Sequence, residues 1–145
     1  TTTPKIFLND TGFAVALRNA EVRQLEQNPD LLGGLFETLV VNELLAQATW
    51  SATPTTLSFY RDHSNLEADL IIEAASGECV VVEIKATSSP GKSDYQGLLR
   101  IGEIFGKRFR RGILLYGGSS IIPVAKNVTA VPISALWTSG RSPQP

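Results

Sequence analysis

Leu66-Glu67-Ala68-Asp69-Leu70-Ile71-Ile72-Glu73 and Cys79-Val80-Val81-Val82-Glu83-Ile84-Lys85, separated by five residues that include Ser76-Gly77, decide the fold. Both stretches are rich in β formers and alternate with period two, which predicts two strands joined by a tight hairpin. Strict alternation places Leu66, Ala68, Leu70 and Ile72 on one face of the first strand and Glu67, Asp69, Ile71 and Glu73 on the other. In the second, Val80, Val82 and Ile84 share a face opposite Cys79, Val81, Glu83 and Lys85. A three-residue loop, Ala75-Ser76-Gly77, with Gly77 in the left-handed conformation gives a register in which partner numbers sum to about 152. Asp69 then faces Glu83, and Glu67 faces Lys85. A slip of one residue would mix polar and apolar faces.

Working outward, Ser93-Asp94-Tyr95-Gln96 has the pattern of a capping box and opens a helix through Leu98, Leu99, Ile101 and Phe105, ending near Gly106 to Arg108. Gly112 to Tyr116 is the next strand, Gly117-Gly118 a turn, and Val128 to Val131 a last short strand. Strand, helix and strand over 79–116 require a crossover between parallel strands, whereas the hairpin before it is antiparallel, so the sheet is mixed. Upstream, Leu57 to Arg61 reads as a strand and His63-Ser64-Asn65 as a turn. The clearest helix carries Leu32, Leu35, Phe36, Leu39, Val40 and Leu44 at spacings of three and four, with Asn28-Pro29-Asp30 at its start and an end near Ala48. Residues 21–30 are polar and show no apolar periodicity. Asp10 or Thr11 caps a first helix with Phe13, Val15, Ala16 and Leu17, and Lys5 to Leu8 reads as a short strand.

The chain has 145 residues, 43% of them hydrophobic, enough for one buried core and one domain over residues 1–138, with 139–145 as a frayed tail. Thirteen basic against fourteen acidic residues give a net charge of -1, which excludes a strongly basic nucleic-acid binder and confines any polyanion contact to a local patch. Runs such as Cys79 to Val82 fall well short of the roughly 18 apolar residues that span a bilayer, so no membrane helix is expected. The first residues do not form a secretory signal. The single cysteine, Cys79, excludes an internal disulfide and makes a reducing cytoplasm the default. The lack of any Met is expected of a piece of a longer chain.

Two carboxylates facing each other across a strand pair repel, and partial burial adds a desolvation cost, so the arrangement calls for a cation or for protonation of one partner. A hard divalent ion such as Mg²⁺ fits, because it takes a few carboxylate oxygens and keeps waters and room for a phosphate. Lys85 could then orient or deprotonate a water and neutralise charge on a phosphate. The same alternation also suits a solvated face on which Glu67 and Lys85 form an ordinary ion pair. Glu37 tips the balance: it has no basic neighbour one turn away on its helix, so it points to a partner elsewhere. Gly33 and Gly34, costly in a helix, would be explained by a close approach of another backbone. Glu43 is read as a residue of the exposed flank.

The residues Gly34-Leu35-Phe36-Glu37-Thr38-Leu39-Val40-Val41-Asn42-Glu43-Leu44, Phe59-Tyr60-Arg61-Asp62, Glu67-Ala68-Asp69 and Val82-Glu83-Ile84-Lys85 carry a resemblance. With Pro4 to Gly12 at one end and Val131 to Trp137 at the other, nearly the whole chain is similar to the C-terminal domain of a large bacterial and archaeal group of AAA+-type ATPases. That domain looks like a PD-(D/E)XK nuclease. The resemblance implies an α/β, restriction-endonuclease-like fold with a mixed sheet flanked by helices. It also implies an N-terminal ATPase domain as partner within the same chain, and Mg²⁺- or Mn²⁺-dependent hydrolysis of DNA. Asp69, Glu83 and Glu37 match the acidic positions of the motif and Lys85 its lysine, while Ile84 would lend a carbonyl to the metal. Ala68 replaces a bulkier residue, and no Pro precedes Asp69. The alternative is a catalytically silent module of the same fold that docks on DNA, the ATPase or a protein partner.

Other signals have plainer readings. Ala86 to Ser93 loosely spells a phosphate loop, but Ala replaces its first Gly and Pro90 removes a backbone donor, so an ATP site using Lys92 is disfavoured. Lys107, Arg108, Arg110 and Arg111 form the only dense basic cluster. They are the candidate nucleic-acid contacts, extended by Arg100 and Lys92, although a solvated turn after a helix would look the same. DNA binding by this domain alone should be weak. His63 has no second His or Cys with which to hold zinc, Cys79 is a packed thiol, and Gln96 is accounted for by capping.

Overall fold

A computed structural model describes residues 5–138; the predicted tail, 139–145, lies outside them. The element order is α1 (Thr11–Leu17), α2 (Val22–Gln27), α3 (Pro29–Trp50), β1 (Thr55–Arg61), β2 (Glu67–Ala74), β3 (Cys79–Lys85), α4 (Lys92–Phe105), β4 (Phe109–Tyr116), β5 (Ile122–Ala125) and β6 (Val128–Pro132), with short 3-10 turns at Gly106–Arg108 and Ile133–Leu136. The strands form one six-stranded sheet in the order β1-β2-β3-β4-β6-β5. β1, β2 and β3 pair antiparallel, β3 with β4 and β4 with β6 parallel, and β5 with β6 antiparallel. The mixed sheet flanked by helices is therefore as the sequence indicates.

Each face of the sheet has its own apolar layer. α3 covers Leu70, Val82, Ile84 and Leu115 with Val40 and Val41. α4 brings Leu98 and Ile101 onto Leu66, Ala68, Ile71, Cys79, Val81, Leu114, Tyr116, Val128 and Ala130. Burial of side chains this size contributes roughly 1.5–3 kcal/mol each before chain entropy is subtracted. By length and composition α3, over Pro29–Thr49, is apolar enough to cross a bilayer, contrary to the reading of uninterrupted runs. In the fold, Val40 and Val41 lay it on the sheet instead.

The ends of the elements show which local signals were sound. Asp10 caps α1 by accepting from Phe13 N at 2.7 Å, and Asn28 caps α3 by accepting from Leu31 N at 3.0 Å. α4 begins earlier than the Ser93/Gln96 pattern suggests. Gly91 precedes it, and the Asp94 carboxylate accepts from Gly91 N at 2.7 Å, so Gln96 has no capping role. α2 lies within the stretch that reads only as polar. It has no buried residue, and Gln24 Oε1 accepts from Glu21 N at its start. Lys5 to Leu8, expected as a strand, pairs with no strand. Phe7 enters the α3 layer instead, and Asn42 Nδ2 donates to Leu8 O at 2.6 Å. β5 has no clear strand signature in the sequence, because Pro123 removes a ladder donor, which an edge strand tolerates.

The β2–β3 hairpin has the expected register: Leu70, Ile71, Ile72 and Glu73 pair with Val82, Val81, Val80 and Cys79, and Gly77 has φ 82°. On its other edge, β2 departs from strict alternation. Ser58 pairs with Ile71 and Tyr60 with Ala68, so three steps along β2 match two along β1, and a bulge falls at Asp69 and Leu70. Leu66 and Ala68 consequently share the α4 face with Ile71, while Leu70 and Ile72 turn to α3. The expected set of faces holds for β3 and fails for β2 at this bulge.

Candidate functional site

The bulge puts Asp69 where the antiparallel pair ends, beyond the Leu70–Val82 partnership. One carboxylate oxygen, Oδ2, accepts from Ile84 N at 2.9 Å, which ties β2 to β3 through a side chain where the backbone ladder has stopped. The other, Oδ1, accepts from Lys5 Nζ at 3.1 Å. The same ammonium group donates to Glu37 Oε1 at 2.9 Å. Glu37 thus does reach beyond its own helix, and its partner is a lysine 32 positions upstream. Nothing marked Lys5 in the sequence, since its contacts span 32 and 64 positions.

Glu83 projects from β3 on the α4 side and is mostly buried, with Lys85 Nζ 2.8 Å from its Oε1. Burial first, and then the nearby Asp69 carboxylate, push the Glu83 pKa up to about 7, against the pull of Lys85 and Lys5. For Lys85 burial is the largest single influence and lowers its pKa, but Glu83, Asp69 and Asp94 together outweigh it and leave the group raised. Lys5 behaves alike: burial lowers it, and Glu37 with Asp69 carry it above the ordinary lysine value. Both lysines are therefore ammonium ions at neutral pH. Glu67 takes no part in this network, because Arg61 on β1 binds it at 2.8 Å, so the expected pairing of Glu67 with Lys85 does not form.

Two clefts meet at these residues. One, of about 520 Å³, runs past Gly33, Gly34, Glu37, Asp69, Lys85 and Asp94. The other, of about 390 Å³, is lined by Asp69, Glu83 and Lys85 together with Asn65, Gln96 and Arg100. Asp94, Gln96 and Arg100, from the start and middle of α4, form part of the walls, although the local sequence pattern marks them only as helix-cap or basic-patch residues. Gly33 and Gly34 do not admit a close backbone: a Cβ at either would meet nothing within 4 Å, so they leave the cleft beside Glu37 open. The loop after Lys85 is pinned, with Gly117 N donating to Thr87 O at 2.8 Å. A Cβ on Gly117 would lie 2.8 Å from Ala86 O.

The basic cluster lies elsewhere. β3 and β4 run parallel, with Cys79 paired to Phe109 and Lys85 to Tyr116, so Lys107, Arg108, Arg110 and Arg111 lie at the end of the sheet away from Glu83. Six residues of strand separate the two ends, about 20 Å. Arg108 is engaged by Glu73 at 3.0 Å, by Gly77 O and by the Phe105 ring, and Arg110 approaches Glu78 at 3.6 Å. His63 is exposed in its turn and Cys79 is buried, as read. Glu43 accepts from Gln47 Nε2 at 2.9 Å along α3.

Among the described residues no group of three or more His, Cys, Asp or Glu side chains stands arranged as a metal cage. The acidic groups are instead divided between two ammonium ions, Lys5 on Glu37 and Asp69, and Lys85 on Glu83. The donor chemistry still suits a hard cation. The oxygens are carboxylate oxygens, and an ammonium group already bridges two of them.

This architecture and residue set define an α/β domain for which a family model exists. The model, described as a domain of unknown function (DUF4143), matches residues 32–136, and the chain belongs to that family. It is 32% identical over 140 residues to the uncharacterized protein Rv2008c of Mycobacterium tuberculosis and, to the same extent, to the uncharacterized protein Mb2031c of Mycobacterium bovis. The alignment covers 94% of this chain and 29% of each relative, so the chain spans less than a third of their length. Among solved structures, a refined half-complex of Thermococcus gammatolerans McrB AAA+ hexamers with bound McrC is similar at a TM-score of 0.45 and 12% identity. That match covers 69% of this chain and 27% of the other, a likeness too low to bear on fold or function.

Proposed function

We propose that this domain is a nuclease-like module whose site at Asp69, Glu83 and Lys85 hydrolyses DNA phosphodiesters with Mg²⁺ or Mn²⁺. The observation that carries the reading is the bulge at Asp69, which fixes one carboxylate oxygen on Ile84 N beside Glu83 and Lys85 at the mouth of two open clefts. Bulges next to active sites commonly re-aim a side chain in this way. Asp69 and Glu83 would hold the ion, with the Ile84 carbonyl and Glu37 as further donors. When bound, such an ion polarises a phosphoryl oxygen and makes water a stronger nucleophile.

The chain's own groups have separate tasks. Lys85, drawn to Glu83 in the resting site, neutralises charge that develops on the phosphate and orients the attacking water. Glu83, whose proton is held up to about pH 7 in the resting site by burial and by Asp69, would have to release it to serve as a ligand. The preceding ATPase domain of the same chain, implied by the sequence resemblance, would present the DNA, since a net charge of -1 gives this domain little affinity of its own.

A second reading, a silent module of the same shape that docks on DNA or a protein partner, is favoured by one observation: Lys5 already fills the space between Glu37 and Asp69. Incubating the purified protein with plasmid, linear and branched DNA in Mg²⁺ or Mn²⁺, beside a Lys85→Ala variant, separates the two. Cleavage that disappears with Lys85→Ala supports the nuclease reading. Cleavage that survives the substitution rejects the site, and metal binding without cleavage favours the silent module.

A further inference from the structure

We infer that Lys5 is a tethered cation standing in the place of a divalent ion between Glu37 and Asp69, so that metal enters only when the Lys5–Leu8 segment withdraws it. This rests on the metal-site reading above. The Lys5 ammonium group lies 2.9 Å from Glu37 Oε1 and 3.1 Å from Asp69 Oδ1, bridging carboxylates that α3 and β2 bring from distant parts of the chain. Mg²⁺ needs oxygens at about 2.1 Å and carries two charges, so an ammonium group in contact with the same oxygens would both obstruct and repel it. Occupation of these two carboxylates is thus an exclusive choice.

The segment is built to move more easily than the rest of the site. Lys5 to Leu8 belongs to no helix or strand, and besides the two Lys5 ion pairs its anchors among the described residues are the Phe7 side chain in the α3 layer and the bond from Asn42 Nδ2 to Leu8 O at 2.6 Å. Lys85, by contrast, ends a central strand and is paired there with Tyr116 of β4. Opening a short irregular segment costs a fraction of global unfolding. With Lys5 in place, two ammonium groups face the three carboxyl groups; with Lys5 withdrawn, only Lys85 remains, and the added negative charge favours a divalent ion.

Calorimetric titration of the purified protein with MnCl₂ tests this in four forms: unaltered, Lys5→Gln, Asn42→Ala and Asp69→Asn. Lys5→Gln should bind Mn²⁺ about tenfold tighter or more, because the competent state no longer has to be freed of its internal competitor. Asn42→Ala keeps the lysine and loosens its tether, so it should give a smaller gain in the same direction, and it decides the matter even if Lys5→Gln folds poorly. Equal or weaker affinity in both variants overturns the inference. If Asp69→Asn weakens Mn²⁺ binding while the other two leave it unchanged, only the role of Lys5 fails. If Asp69→Asn also has no effect, the ion binds elsewhere and the site reading fails with it.

Discussion

Asp69 Oδ2 accepts a hydrogen bond from Ile84 N at 2.9 Å, a side-chain rung that continues the β2–β3 ladder past its last backbone pair. Because the strand bulges at this residue, the carboxylate both closes the sheet and carries the charge that Glu83 feels. Asp69→Asn separates these duties, since an amide oxygen can still accept from Ile84 N but carries no charge. The titration midpoint of Glu83, followed by carboxyl carbon NMR, should fall from about 7 toward the ordinary glutamate range. An unchanged midpoint would show that Asp69 does not perturb Glu83.

The raised Glu83 pKa has a consequence for stability. In the unfolded chain this carboxyl loses its proton near 4.5, and in the folded protein near 7, so between these values the folded state binds more protons. Its favourable contribution is fully present below about 4.5 and is lost as pH rises through 7, a change of up to about 3 kcal/mol from linkage. Glu83→Gln mimics the protonated form and can still accept from Lys85. Urea unfolding should find the variant roughly 1–3 kcal/mol more stable than the unaltered protein at pH 8 and near parity at pH 4.5. A variant less stable at pH 8 would count against a buried, half-protonated Glu83.

The β2–β3 hairpin was legible because period-two polarity and a glycine at position 77 act locally, and α3 because Asn28, Pro29 and the apolar spacing agree. Asp69 and Glu83 could be singled out by the same local pattern. The bulge could not, because it is decided by how β1 pairs with β2 and not by either strand alone. Lys5 was invisible for a related reason: an ion pair across 64 positions leaves no periodic trace. Ser93 and Gln96 point to a cap that does not form, because Asp94 offers an equivalent capping group two residues earlier, and only the geometry of Gly91 selects between them.

Glycines on the two sides of the site should respond in opposite ways. Gly33→Ala and Gly34→Ala put a methyl group into open space within a helix, where Ala is favoured by about 0.5–1 kcal/mol, so each should raise the melting temperature by a few degrees. Gly117→Ala instead drives a Cβ to 2.8 Å from the Ala86 carbonyl oxygen, and the loop that follows Lys85 must shift. A loss of roughly 1–3 kcal/mol is expected, read by thermal or urea unfolding. Equal behaviour of the three variants would contradict the open cleft beside Glu37.

Under the proposed nuclease function, two arginines distinguish which face would meet DNA. Arg100 lines the cleft that holds Asp69, Glu83 and Lys85, whereas Arg108 is committed to Glu73, Gly77 O and the Phe105 ring at the other end of the sheet. A cation already paired releases few counterions on meeting a phosphate, because its charge is partly spent. Arg100→Ala should therefore weaken binding of a labelled duplex and lower the slope of log affinity against log salt by about one. Arg108→Ala should leave that slope nearly unchanged while costing stability through its lost contacts. Fluorescence anisotropy across a salt series measures both. The reverse ranking would move the DNA face to the Lys107–Arg111 cluster toward the other end of the sheet, where Arg108 and Arg110 are drawn to Glu73 and Glu78 and not to the site carboxylates.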